Sequence, residues 1–239
     1  MYRALFILPI FLCSLAKGQM VERAGYGGIM YKSYGLGIAY QKKFESFKPF
    51  GKQLDAEMAM FHHPQETKSF NTDLNNPSPF VFGKLNKVAI LKVQYAITKK
   101  ISQFSESQRV GIDMILGGGM IIGFLKPVYI NLIYPSPNGY ETVVAEKYNP
   151  GKHTDITKIA GYADSRVGWN EVTSKVGLSV SGGAGFTWGY FSNFPKRLES
   201  GFYLEYFDNG LPVMAFVKNK NLIQGVYVKL LFGKRVSKN

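Results

Sequence analysis

The chain has 239 residues, 46% of them hydrophobic and 15% aromatic, with a formal net charge of +13. That length suits a single domain, and one cysteine, Cys13, leaves no disulfide framework to build on. No stretch supplies the roughly 18 to 20 uninterrupted apolar residues of a membrane helix, since the longest apolar run, residues 112–125, contains Asp113 and four glycines.

Residues 1–18 read as a secretory signal: Arg3 starts it, residues 4–15 form the apolar run, and Ala16 and Gly18 are the small residues before a cut. The mature domain is then 19–239. Leu12 stands where a lipidated Cys13 needs a small residue, and loss of Arg3 and Lys17 takes the charge to +11 (13 − 2). An exported chain without a spanning helix is either soluble or a closed barrel, because only a closed barrel satisfies every strand hydrogen bond in lipid. The basic charge fits anionic lipid head groups or an acidic partner. Export argues against nucleic acid.

In chain order, residues 24–32 and 35–44 predict a first hairpin turning at Ser33 and Tyr34, with Leu36, Ile38 and Tyr40 alternating against Gly37, Ala39 and Gln41. In residues 52–62, Leu54, Ala56, Met58 and Met60 oppose Asp55, Glu57 and Ala59. Carboxylates on one strand face suit a lumen. Residues 63–82, with three prolines, predict a loop. A strand follows at 83–100 and, after a short connection, another at 109–133, where Gly117 to Gly119 predict a bend or bulge and the segment with Pro127 is expected to leave the membrane and continue as an extended wall or loop. Residues 134–173 lack alternation and predict the longest loop.

Residues 175–191 carry the clearest pattern. Val176, Leu178, Val180, Ala184, Phe186, Trp188 and Tyr190 share one face, while Ser179, Ser181, Gly183, Gly185 and Thr187 share the other. Large apolar residues against small polar ones invert the polarity of a soluble barrel and predict lipid outside and a polar lumen inside. Strands at 197–207 and 221–234 complete the set, separated by a loop at 208–220.

The fold predicted is all-β: an antiparallel transmembrane barrel of eight strands, with six or ten as alternatives. Its connections after strands two, four and six are short and those after three, five and seven are long, as short periplasmic turns and long extracellular loops require. The final strand, GVYVKLLFGKR with Phe232 near its end, resembles the C-terminal targeting strand of outer-membrane barrels.

Six charged residues are predicted to face the lumen: Asp55, Glu57, Lys92, Asp113, Glu205 and Lys229. A barrel of this size is filled by its own side chains, so these charges predict a paired plug. Phe186, Trp188, Tyr190, Tyr206 and Phe232 predict membrane-interface girdles. His62, His63 and Glu66 invite a metal reading, but neighbouring strand residues point to opposite faces and Pro64 follows at once. His153 with Asp155 invites an acyl-transfer reading, but no serine stands in a nucleophile motif. The glycines lack the Lys-Ser or Lys-Thr that closes a phosphate loop. No catalytic residue, cofactor or metal ligand set emerges.

The segments HHPQETKS (62–69), FGKLN (82–86), GFLKPVY (123–129), EKYNPGKH (146–153), LPVMAFVKNKN (211–221) and the terminal FGKR are similar to a family of small outer-membrane barrels of the Bacteroidota, known mostly as exported or hypothetical outer-membrane proteins. The resemblance spans most of the mature chain. It implies an outer-membrane location and no catalytic residue.

By elimination, the sequence points to a non-enzymatic outer-membrane barrel that serves as an accessory subunit of a larger secretion, assembly or uptake complex, docking through its outer loops. The partners expected are outer-membrane lipid or lipopolysaccharide and other outer-membrane proteins. The alternatives are a narrow pore for ions or small solutes, a lipid A-modifying enzyme, and a soluble binder of lipocalin type with the apolar face turned inward.

Overall fold

A computed structural model describes residues 22–45, 49–71, 78–102, 110–135, 141–189 and 194–236. The signal segment with Cys13, and Tyr190 of the aromatic set, lie outside the described residues. Among the described residues there are thirteen strands: β1 (Glu22–Lys32), β2 (Gly35–Glu45), β3 (Phe50–Phe61), β4 (Lys68–Ser69), β5 (Phe80–Val81), β6 (Asn86–Ser102), β7 (Val110–Pro127), β8 (Tyr129–Pro135), β9 (Glu141–Lys147), β10 (Ile159–Tyr162), β11 (Thr173–Trp188), β12 (Lys196–Phe207) and β13 (Leu222–Val236). Eight of them close a barrel in the order β1-β13-β12-β11-β7-β6-β3-β2, every neighbouring pair antiparallel. The eight-stranded count therefore holds over six or ten.

Period-two alternation decides which residues point where. On β11, Val176, Leu178 and Val180 face outward and remain more than half exposed, while Ser179 and Ser181 are buried inside. Phe202, 71% exposed, marks the same apolar exterior on β12. Apolar outside and polar inside is the arrangement of a transmembrane barrel and rules out the lipocalin alternative, which needs this face turned inward. The long connections all leave one end, together with the tight β1–β2 turn at Ser33 and Tyr34. The connections after β2, β6 and β11 leave the other, together with the first and last strand ends.

The barrel closes where β1 meets β13, and the hairpin turn reinforces the seam. Ser33 donates its backbone N–H to the Val226 carbonyl at 3.0 Å, and its hydroxyl accepts from the Val226 N–H at 2.9 Å. No bulge marks Gly117 to Gly119, contrary to expectation: β7 runs in unbroken register there against both β6 and β11. The absence of a side chain at Gly117 instead makes room inside the barrel, since a Cβ there would lie 3.2 Å from the Gln94 amide nitrogen.

The barrel part of the strand predicted at 109–133 ends at Pro127, which has no N–H to continue the ladder, and the chain departs there as an extended wall, as expected, with Tyr129 opening a second sheet. Two loop expectations are corrected. The described part of the predicted loop 134–173, residues 134–135 and 141–173, is most of a folded insertion, a three-stranded sheet of order β10-β8-β9 with 3-10 turns at Ile156–Lys158 and Trp169–Glu171. Its apolar core, Val128, Ile130, Leu132, Tyr148 and Ile159, packs with Phe80 from the preceding connection. That connection, predicted as loop 63–82, carries the short β4–β5 ladder.

Candidate functional site

The lumen contains five buried cations, Lys32, Lys43, Lys92, Arg197 and Lys229, and five buried carboxylates, Asp55, Glu57, Asp113, Glu199 and Glu205. Among the described residues these five cations and five carboxylates balance. Inward positions on β1, β2, β3, β6, β7, β12 and β13 supply them, so closure of the sheet brings together residues as distant in sequence as Lys32 and Glu205, 173 positions apart. All six of the sequence-predicted lumen charges lie in this set. Lys32, Lys43, Arg197 and Glu199 were missed: Glu199 shares the strand parity of Glu205, whereas Lys32, Lys43 and Arg197 lie near strand ends, where alternation does not separate a lumen position from the rim.

The ion pairs form one continuous chain along the barrel axis. At the short-turn end, Lys43 lies 3.0 Å from Asp113, and Arg197 grips the same carboxylate with both terminal nitrogens, at 2.7 and 3.0 Å. Arg197 also donates to the Thr187 hydroxyl at 2.9 Å and approaches Glu199 at 3.5 Å. Glu199 accepts from Lys229 at 2.8 Å, from the Gln41 amide at 2.7 Å and from the Tyr227 hydroxyl at 3.2 Å. Lys229 passes the chain to Glu57 at 2.8 Å, which also meets Lys92 at 2.7 Å and Lys32 at 3.6 Å. Lys32 ends it on Glu205 at 2.5 Å, at the large-loop end. Asp55 lies 3.9 Å from Lys229 and takes hydrogen bonds from Gln53 and Gln94. Burying charge is tolerable only with this degree of pairing and hydrogen bonding.

Above the charges, apolar side chains close the barrel. Leu211, Val213 and Met214 from the β12–β13 connection pack with Val88, Ile90, Ile121, Leu125, Phe207 and Ile223. This lid is tied to the β5–β6 connection by the Leu85 N–H to Val213 carbonyl bond at 2.8 Å and by the stacking of Phe82 on Phe216 at 5.9 Å. An apolar lid over a neutral, interlocked charge chain makes the interior a plug.

The insertion sheet rides beside this lid. Glu171 accepts from Lys147 at 2.5 Å and from the Tyr129 hydroxyl, joining the 169–171 turn to β8 and β9. These hydrogen bonds hold the Glu171 carboxyl below the usual glutamate range and raise the Tyr129 phenol. A depressed carboxylate contributes stability that is present above the ordinary value of 4.5 and lost as the pH falls through the lower folded value. In a Trp188→Phe background, emission from Trp169 is therefore expected to titrate with a midpoint below 4.5, and Glu171→Gln to abolish the transition.

The histidine candidates are committed elsewhere. His63 Nδ1 accepts from the Gln65 N–H, while Glu66 accepts from the His63 N–H and pairs with Lys84 at 2.6 Å. His153 Nδ1 accepts from the Asn149 N–H at 3.0 Å and its Nε2 lies 3.5 Å from Glu146, whereas Asp155 caps the turn at Thr157. His153 and Asp155 thus serve separate turns, the one at 149–153 and the other at 155–157. Among the described residues no group of three or more metal-ligating side chains converges.

Of the aromatic set, Phe186, Trp188 and Phe232 cluster at the short-turn end and Tyr206 stands at the large-loop end, all on the outer face.

No family model matches the chain, and no curated protein matches it. Among solved structures it is similar to Neisserial surface protein A, with a TM-score of 0.41, 10% identity, and coverage of 93% of this chain and 100% of that one. It is also similar to Ail, the attachment invasion locus protein of Yersinia pestis, with a TM-score of 0.37, 12% identity, and coverage of 90% and 97%; Ail also matches in complex with the heparin analogue sucrose octasulfate, at 13% identity and a TM-score of 0.37.

Proposed function

We propose that the protein is a non-enzymatic integral outer-membrane barrel that serves as an accessory subunit of a larger envelope complex and docks through its insertion sheet. The supporting observation is β9. Among the described residues it pairs only with β8, which leaves its other edge without a strand partner, and six of its seven residues are exposed, with Val143 at 55% and Val144 at 40%. An exposed edge strand is a ready template for strand addition by a partner. The plugged interior weighs against a pore, and the commitment of His63 and His153 to local turns weighs against acyl transfer.

A photo-crosslinking side chain at Val143, in the native envelope, is expected to give one dominant protein adduct, while the same group at lipid-facing Phe202 gives none. No adduct at Val143, or equal adducts at both positions, would overturn docking through β9.

A further inference from the structure

Every Asp and Glu on the barrel strands with a described side chain faces inward, as does Arg197, so among the described residues the charged side chains of the outer face are all lysines. Two lie at the large-loop end and both are occupied. Lys87 and Lys126 face each other across β6 and β7; Lys87 sits 4.7 Å over the Tyr162 ring, and Lys126 sits 4.9 Å over the Trp169 ring and donates to the Ser165 carbonyl. The insertion takes up both.

The other five, Lys42, Lys52, Lys99, Lys196 and Lys234, gather at the short-turn end. Register places them side by side. Gly25 of β1 pairs with both Lys42 and Lys234, Lys196 pairs with Phe232 two residues from Lys234, Lys52 pairs with Phe44 two residues from Lys42, and Lys99 pairs with Phe50 two residues from Lys52. The arc is continuous over β6-β3-β2-β1-β13-β12. It sits at the edge of the apolar band, at the level of Phe44, Phe50 and Phe232, with Trp188 directly paired to Lys196. Among the described residues none of the five makes an ion pair.

We propose that this arc is a lipid-selecting surface that recruits anionic glycerophospholipids in the leaflet at the short-turn end. Acyl chains lie against the apolar band below the rim, and the headgroup phosphates meet the ammoniums. Both features are needed: the band alone takes any phospholipid, while uncompensated lysines at a membrane surface favour the anionic ones. A soluble polyanion would not use the adjoining band. The proposal rests on the barrel standing in a bilayer.

Trp188 is a built-in reporter, because the chain has two tryptophans and the other is Trp169. The full-length protein carrying Trp169→Phe would be reconstituted in mixed phosphatidylcholine and phosphatidylglycerol vesicles with only one lipid brominated at a time. Brominated phosphatidylglycerol is expected to quench Trp188 about fivefold more effectively per mole than brominated phosphatidylcholine, the factor one basic residue near the surface supplies. The preference should shrink at high salt and in Lys196→Gln, and vanish when all five lysines are changed to Gln. Equal quenching by the two lipids, or a preference that survives all five changes, would overturn the lipid-selecting arc while leaving the bilayer placement intact. Quenching by neither lipid would overturn the bilayer placement and the arc with it.

Discussion

Glu57→Gln is expected to destabilise the barrel by about 3 to 5 kcal/mol, the usual cost of removing one partner from a buried ion pair. Glu57 is met by Lys229 at 2.8 Å, Lys92 at 2.7 Å and Lys32 at 3.6 Å. With the charge removed, three ammoniums converge on a neutral amide away from water. Replacing Lys92 with Met as well should recover part of the loss, because it removes the cation that relies most closely on Glu57. Urea unfolding of the reconstituted protein measures both. A water-filled path through the lumen would screen these charges and hold the Glu57→Gln effect to about 1 kcal/mol or less, so the same experiment separates a plug from a pore.

Gly185→Val is expected to cost about 3 kcal/mol or more, while Gly182→Val, three residues away, should stay within about 0.5 kcal/mol. Gly185 faces the lumen, where the Arg197 guanidinium lies across it; an added Cβ would come within 2.0 Å of Nη2. Arg197 cannot swing away without leaving Asp113 and Glu199, and it has no exposure to water. Gly182 lies on the outer face, and a Cβ there would meet its nearest atoms at an ordinary 3.8 Å. Heat-modifiable migration, with urea unfolding for whatever folds, reads the contrast. Similar losses at the two positions would show that strand flexibility, rather than room for Arg197, sets the need for glycine.

The two predictions share a cause that alternation alone exposes only in part. Asp55, Glu57, Lys92, Asp113, Glu205 and Lys229 interrupt patterned strands, so their inward direction can be read from neighbours two positions away. Arg197 and Lys43 could not be placed that way. Each lies near a strand end among other charges, and whether such a residue turns in or reaches the rim depends on where the barrel's edge falls. Glycines carried a similar ambiguity: Gly117 to Gly119 suggested a bulge, yet the register is regular there, and Gly117 and Gly119 leave room for Gln94 while Gly118 faces outward.

The insertion was the least legible part for a physical reason. β9 reads ETVVAEK and is exposed on both faces, so neither face carries the apolar signal that identifies a half-buried strand. β10 spans four residues, too few to establish a period. Their pairing is set by β8, whose Ile130 and Leu132 bury against Phe80 from a distant part of the chain.

What the amino-acid sequence determined by itself was the inverted barrel: large apolar side chains alternating with small polar ones along residues 175–191, and short and long connections in turn, leave a closed antiparallel sheet as the arrangement that satisfies the backbone in lipid. What only the tertiary structure decided was which charges meet, how the lid seals them, and that residues 134–173 fold into a sheet. Side-chain direction follows from local alternation. Pairing across the lumen and burial beneath an insertion depend on closure of the barrel, which brings Lys32 to Glu205 and Phe80 to Ile159.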